Sequence, residues 1–134
     1  LPGVDGGSER GDIRMFSVLL IGLGGFLGAI FRYGVSVWFK RISSYPWGTL
    51  CVNLSGSFFL GGILSLPPSV ITKYLMGIGF LGAFTTFSTF KWETLQMIRN
   101  NSWKISAIYL GVSYMGGVFL AWVGWVIFEK TIAK

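Results

Sequence analysis

The 134-residue chain contains no histidine and a single cysteine, Cys51. Histidine metal sites and histidine acid–base catalysis are therefore excluded, and neither an intramolecular disulfide nor a cysteine cluster can form. Charge is scarce too. Asp and Glu number 5, Lys and Arg 11, and charged residues make up 12% of the chain against 52% hydrophobic. That balance is too apolar for a soluble domain. The net charge of +6 does not point to nucleic acid, because no basic run is longer than Lys40-Arg41. With no paired acids and no activated nucleophile, the chain is not read as an enzyme. Gly22 to Gly28 superficially resembles a dinucleotide loop, but its third glycine is misplaced and it lies in an apolar helix. Cys51 is read as a small packing residue.

What is present is a set of long charge-free stretches. Met15 to Phe31, Ile42 to Thr72, Tyr74 to Phe90 and Ile105 to Phe128 carry no charge, and Arg32 is the only charge between Phe31 and Lys40. A spanning helix needs roughly 20 mostly apolar residues. The expectation is an all-α membrane protein with four transmembrane helices at about 15–39, 48–66, 70–98 and 103–128. Residues 15–134 form one transmembrane domain in this reading. Residues 1–14, rich in glycine and charge, are expected to be a flexible tail rather than a signal peptide.

Small and polar residues recur four apart: Gly24 and Gly28 with Arg32 beyond them; Asn53, Ser57 and Gly61; Tyr109, Ser113 and Gly117, continued by Ala121 and Gly124. Such stripes let membrane helices approach closely. Arg32, near the end of its span, is expected to snorkel to the boundary. Glu93 and Lys91 are expected to form a local or helix-end charge pair. Asn53 is either a donor to a permeating ion or one half of an interhelical hydrogen bond. Ser113 can bond its own helix carbonyl, and Tyr109 can sit at the membrane interface.

The third apolar segment is interrupted at Gly82-Ala83-Phe84-Thr85-Thr86-Phe87-Ser88-Thr89-Phe90. Hydroxyl side chains compete with helix geometry for backbone partners. Irregular backbone at membrane depth is tolerated only where it is buried in protein or lines an aqueous path. The interruption is thus either a permeation or binding site, or a kink packed against neighbouring helices. Basic residues outside the spans divide five against four between the two sides: Arg10, Arg14, Lys73, Lys130 and Lys134 against Lys40, Arg41, Arg99 and Lys104. The positive-inside rule then sets no orientation, and copies inserted in both directions can pair as an antiparallel dimer.

Gly82 to Glu93 resembles the third-helix signature of the CrcB/Fluc fluoride channel family, close to G-G-x-T-T-F-S-T-F-x-x-E. Gly48-Thr49-Leu50 followed by Asn53 resembles the family's G-T-L-x-x-N segment, and Gly25 to Arg32 its first-helix G-x-x-G-A-x-x-R motif. Ala83 replaces a common glycine, and Gly117 stands where some members carry serine or threonine. The resemblance implies a fluoride-selective passive channel of the cell (inner) membrane that exports fluoride and confers resistance to it. It also implies a dual-topology antiparallel homodimer, with the third helix broken mid-membrane and two pores. A sodium ion at the interface would be held by backbone carbonyls at Gly82 and Thr85. The pore positions carried over are Asn53, Phe87 and Phe90, with Ser88, Thr89, Tyr109 and Ser113 as polar neighbours. Fluoride, membrane lipid and a second copy are the expected partners. The rival is a small dual-topology, proton-coupled multidrug exporter. It needs an embedded carboxylate, and Glu93, near a helix end, is the only candidate.

Overall fold

The computed structural model describes residues 6–134, and among them all regular structure is helical. Helix α1 (Gly6–Ile42) closes with Lys40 and Arg41 in its last turn, where the helix dipole favours cations. Helix α2 (Trp47–Ser65) starts after Pro46. It stops where Leu66, held extended at ψ 153° by the prolines that follow, ends the hydrogen-bond ladder. A wide π-helix, π1 (Ile71–Leu81), runs into a single turn, α3 (Gly82–Phe84). Helix α4 (Phe87–Arg99) follows after two extended residues, and α5 (Trp103–Ile132) completes the chain. The α4–α5 link turns at Asn101, whose φ of 57° is the only positive value among the described residues.

The helices begin and end at other residues than the expected spans. The first span is longer than expected: α1 is already helical at Gly6, within the segment read as a tail, while residues 1–5 lie outside the described residues. Three helices, α1, α2 and α5, are each long and apolar enough to cross a membrane; the segment 71–99 reaches comparable length only as the sum of π1, α3 and α4.

Two helix pairs dominate, α1 with π1 and α2 with α5. Both depend on absent side chains. A Cβ at Gly28 would collide with the Phe80 carbonyl, and one at Gly124 with the Phe58 carbonyl. The small-residue stripes are thus the seams along which backbones touch. The apolar core is correspondingly thin, with Val52, Leu81, Phe90 and Tyr109 as its buried members. Met115, Val118, Phe119 and Trp122 are exposed on one face of α5. Outward apolar surface on this scale suits a lipid environment.

Candidate functional site at the helix break

Helical hydrogen bonding stops at Thr85 and Thr86. Thr85 has ψ 158° and Thr86 has φ −146°, ψ 123°, both extended. The freed backbone groups find partners on other elements. Asn53 of α2 clamps Thr86 at two points: its Nδ2 donates to the Thr86 carbonyl at 3.0 Å, and its Oδ1 accepts from the Thr86 amide at 2.8 Å. The Thr86 hydroxyl caps α4 by accepting from the Thr89 amide, and it also donates to the Thr89 hydroxyl at 3.1 Å. Arg32 of α1 donates from Nη1 to the Thr85 carbonyl at 3.4 Å. The guanidinium therefore points to the break and does not snorkel to the boundary, because an unsatisfied carbonyl lies within its reach.

A second correction concerns Glu93. It accepts from the Thr49 hydroxyl at 2.8 Å on one oxygen and from the Tyr109 hydroxyl at 2.9 Å on the other. The expected pairing with Lys91 does not form; Lys91 Nζ instead stands 5.7 Å from the Phe87 ring centre. Glu93 and Lys91 are two residues apart and point to different helix faces. Tyr109 is buried rather than interfacial, and its ring lies 5.1 Å from that of Phe90. Phe90 in turn meets Phe87 at 6.3 Å and Tyr114 edge-on at 5.8 Å.

Ser113 sits one turn beyond Tyr109 on α5. Its hydroxyl is buried without a hydrogen-bond partner, and it does not bond its own helix carbonyl. It opens onto a groove of about 330 Å³ lined also by Asn53, Ser57, Phe87, Phe90 and Gly117. On the other side of Asn53 and Phe87, a second groove of about 330 Å³ is lined by Gly82, Thr85 and Thr86. A larger cavity of about 660 Å³ opens between α1, α2 and α4, with Lys40, Thr49, Thr89 and Glu93 in its wall. Ser88 is exposed on the first turn of α4 and lines none of these spaces.

The chain matches the model of the family described as "CrcB-like protein, Camphor Resistance (CrcB)" over residues 19–125. It belongs to the CrcB family. It is 48% identical over 112 residues to the fluoride-specific ion channel FluC 1 of Geobacillus kaustophilus, covering 83% of this chain and 97% of the relative. The fluoride-specific ion channel FluC 2 of Moorella thermoacetica is 46% identical over 114 residues, 81% of this chain and 93% of the relative. A third, the fluoride-specific ion channel FluC of Leptospira interrogans serovar copenhageni, is 41% identical over 119 residues, 83% and 94%. With its apolar helices, this CrcB member is an integral membrane protein.

Among the expected residues, the structure brings Asn53, Phe87, Phe90 and Ser113 together around one groove, and Gly82 with Thr85 around another. Ala83 does not need a left-handed backbone, since no positive φ occurs at the break. Sequence reasoning passed over Thr49 and the cap at Thr86. Thr49 had a signal: with Asn53 and Ser57 it continues the four-residue spacing of the polar face of α2.

Proposed function

We propose that this CrcB member is a fluoride-selective passive channel that exports fluoride from the cytoplasm across the cell (inner) membrane. In this reading the third span is broken at mid-depth, and two copies pair antiparallel to enclose two pores. The observation that carries it is the unpartnered hydroxyl of Ser113, buried in a groove walled by Phe87, Phe90 and Asn53. A buried donor without an acceptor is costly, and a small anion is what it lacks. The relatives named as fluoride-specific channels cover nearly their whole length in the match.

The geometry suits a strongly hydrated anion. Fluoride entering from the cavity beside Lys40 meets the hydroxyl of Thr89, whereas the Thr49 hydroxyl is already committed to Glu93. Beyond Thr89, ring edges carry partial positive charge, and Phe90 and Phe87 line the groove that Ser113 shares. Each contact replaces some lost water, and none is a fixed cation that would trap the ion. Glu93 holds Thr49 and Tyr109 in place with both oxygens engaged. That is an anchoring role, unlike the proton-carrying carboxylate a coupled exporter requires. The channel has no reaction to catalyse and is not an enzyme.

The reading includes a sodium ion at the dimer interface, bound by the carbonyls of Gly82 and Thr85 from both copies. The Thr86 amide, which would reach the Gly82 carbonyl in a continuous helix, is turned to Asn53 instead. Gly82 and Thr85 both line the second groove of about 330 Å³ beside the break. When bound, the cation supplies a hard positive centre for oxygens that no amide satisfies. A growth test examines the role: cells lacking their own fluoride export should regain growth on fluoride when they express this chain. No gain in growth from a chain shown to reach the membrane would contradict it.

A further inference from the structure

The two carbonyls assigned to the cation differ in one respect. The carbonyl of Gly82 has lost the Thr86 amide to Asn53, whereas that of Thr85 already accepts from Arg32. The Arg32 guanidinium is half-buried, and the hydrogen bond it makes among the described residues goes to this carbonyl rather than to a carboxylate. Glu93 on α4 has both oxygens taken by Thr49 and Tyr109. A permanent positive charge therefore stands on one of the oxygens that a metal ion would use.

We propose that Arg32 is a positioning residue for the interfacial cation: it satisfies the Thr85 carbonyl within each copy and weakens cation binding at the Gly82–Thr85 groove. The inference rests on the cation site in the reading above. Two effects act in the same direction. The guanidinium occupies a lone pair that the ion would share, and it is a like charge. An ion bound to the Thr85 oxygen lies roughly 5 Å from Nη1, close enough for repulsion on the order of tenfold in affinity even after solvent screening. Arg32 is also the donor that the extended Thr85 carbonyl finds within one copy. Without it the extended Thr85 carbonyl has no donor among the described residues until a cation arrives. The protein thus carries a built-in surrogate cation that the interfacial ion must compete with.

The experiment uses the purified full-length chain in detergent, with sodium exchanged for N-methylglucamine at constant ionic strength. Ligand that binds only the folded state raises the unfolding midpoint in proportion to the logarithm of its concentration over Kd. Arg32→Gln removes the charge and should lower the half-saturating sodium concentration about tenfold. Arg32→Lys keeps the charge and should stay within about threefold of the parent. An unchanged or weakened sodium response in Arg32→Gln overturns the proposal. So does failure of both Arg32→Gln and Arg32→Met to assemble in saturating sodium while Arg32→Lys assembles, since that makes the residue purely structural. A parent midpoint insensitive to sodium overturns the cation site together with the role of Arg32. It leaves fluoride conduction, which is read separately as flux, standing or falling alone.

Discussion

Replacing Asn53 by alanine leaves two backbone groups of Thr86 without their partners, and the consequence can be worked out group by group. The Thr86 amide donates at 2.8 Å and the Thr86 carbonyl accepts at 3.0 Å, both with the one side-chain amide. Thr86 itself is buried, at 8% exposure, so water reaches it poorly. Leaving a buried backbone group unsatisfied costs about 1–3 kcal/mol. Taking about 2 kcal/mol for the amide, local opening at Thr86 becomes about 30-fold easier. Hydrogen exchange resolved at the Thr86 amide reads this directly, with the Leu81–Thr85 amides as an internal reference. Asn53→Asp separates structure from conduction. It keeps an acceptor for the Thr86 amide, so protection there should persist. It also places a negative charge in the groove that Phe87, Phe90 and Ser113 share, so fluoride flux should vanish. If Thr86 exchanged at the parent rate in Asn53→Ala, the clamp would not hold the break, and the account of how the interruption is stabilised would be wrong.

The two phenylalanines should part company in stability but not in flux. Phe90, 4% exposed and packed on Tyr109 and Tyr114, should lose about 1–3 kcal/mol on change to isoleucine, whereas Phe87, 62% exposed in a single copy, should lose little. Both variants should conduct poorly in reconstituted vesicles, and normal conduction through either folded variant would reassign its ring to packing. Gly28→Leu should disrupt the fold by driving α1 off the Phe80 backbone, visible as loss of the parent's monodisperse peak on size exclusion; an unchanged peak would show the seam to be loose. Cysteine labelling near each terminus in intact cells should find each terminus on both sides of the membrane. A single orientation for every copy would rule out the antiparallel pair.

The spans and seams were legible because they rest on local signals. Apolar length marks α1, α2 and α5, and the glycines at positions 24, 28, 61 and 124 mark the lines of close approach. The extended backbone at Thr85 and Thr86 coincides with a local signal too, the clustered hydroxyls between Thr85 and Thr89. What the sequence did not reveal is long-range. Arg32 reaches an oxygen 53 residues away, and Glu93 takes donors 44 residues earlier and 16 later. No spacing rule encodes a partner on another helix, so neither the snorkelling expected of Arg32 nor the local pair expected of Glu93 formed. The wide winding of π1 was likewise invisible: from Leu75 to Leu81 it holds only apolar residues and glycine, and a stretch without alternation carries no period to read.

Conduction itself is tested most directly by ion efflux from liposomes holding the purified chain, loaded in parallel with potassium fluoride or potassium chloride and started with a potassium ionophore, with equal pH on both sides. The proposed pore of hydroxyl, amide and ring-edge donors should release fluoride rapidly, follow the electrical gradient alone and hold chloride at the rate of empty vesicles. Chloride leaving as fast as fluoride, or fluoride moving only when a proton gradient is imposed, would contradict the assignment.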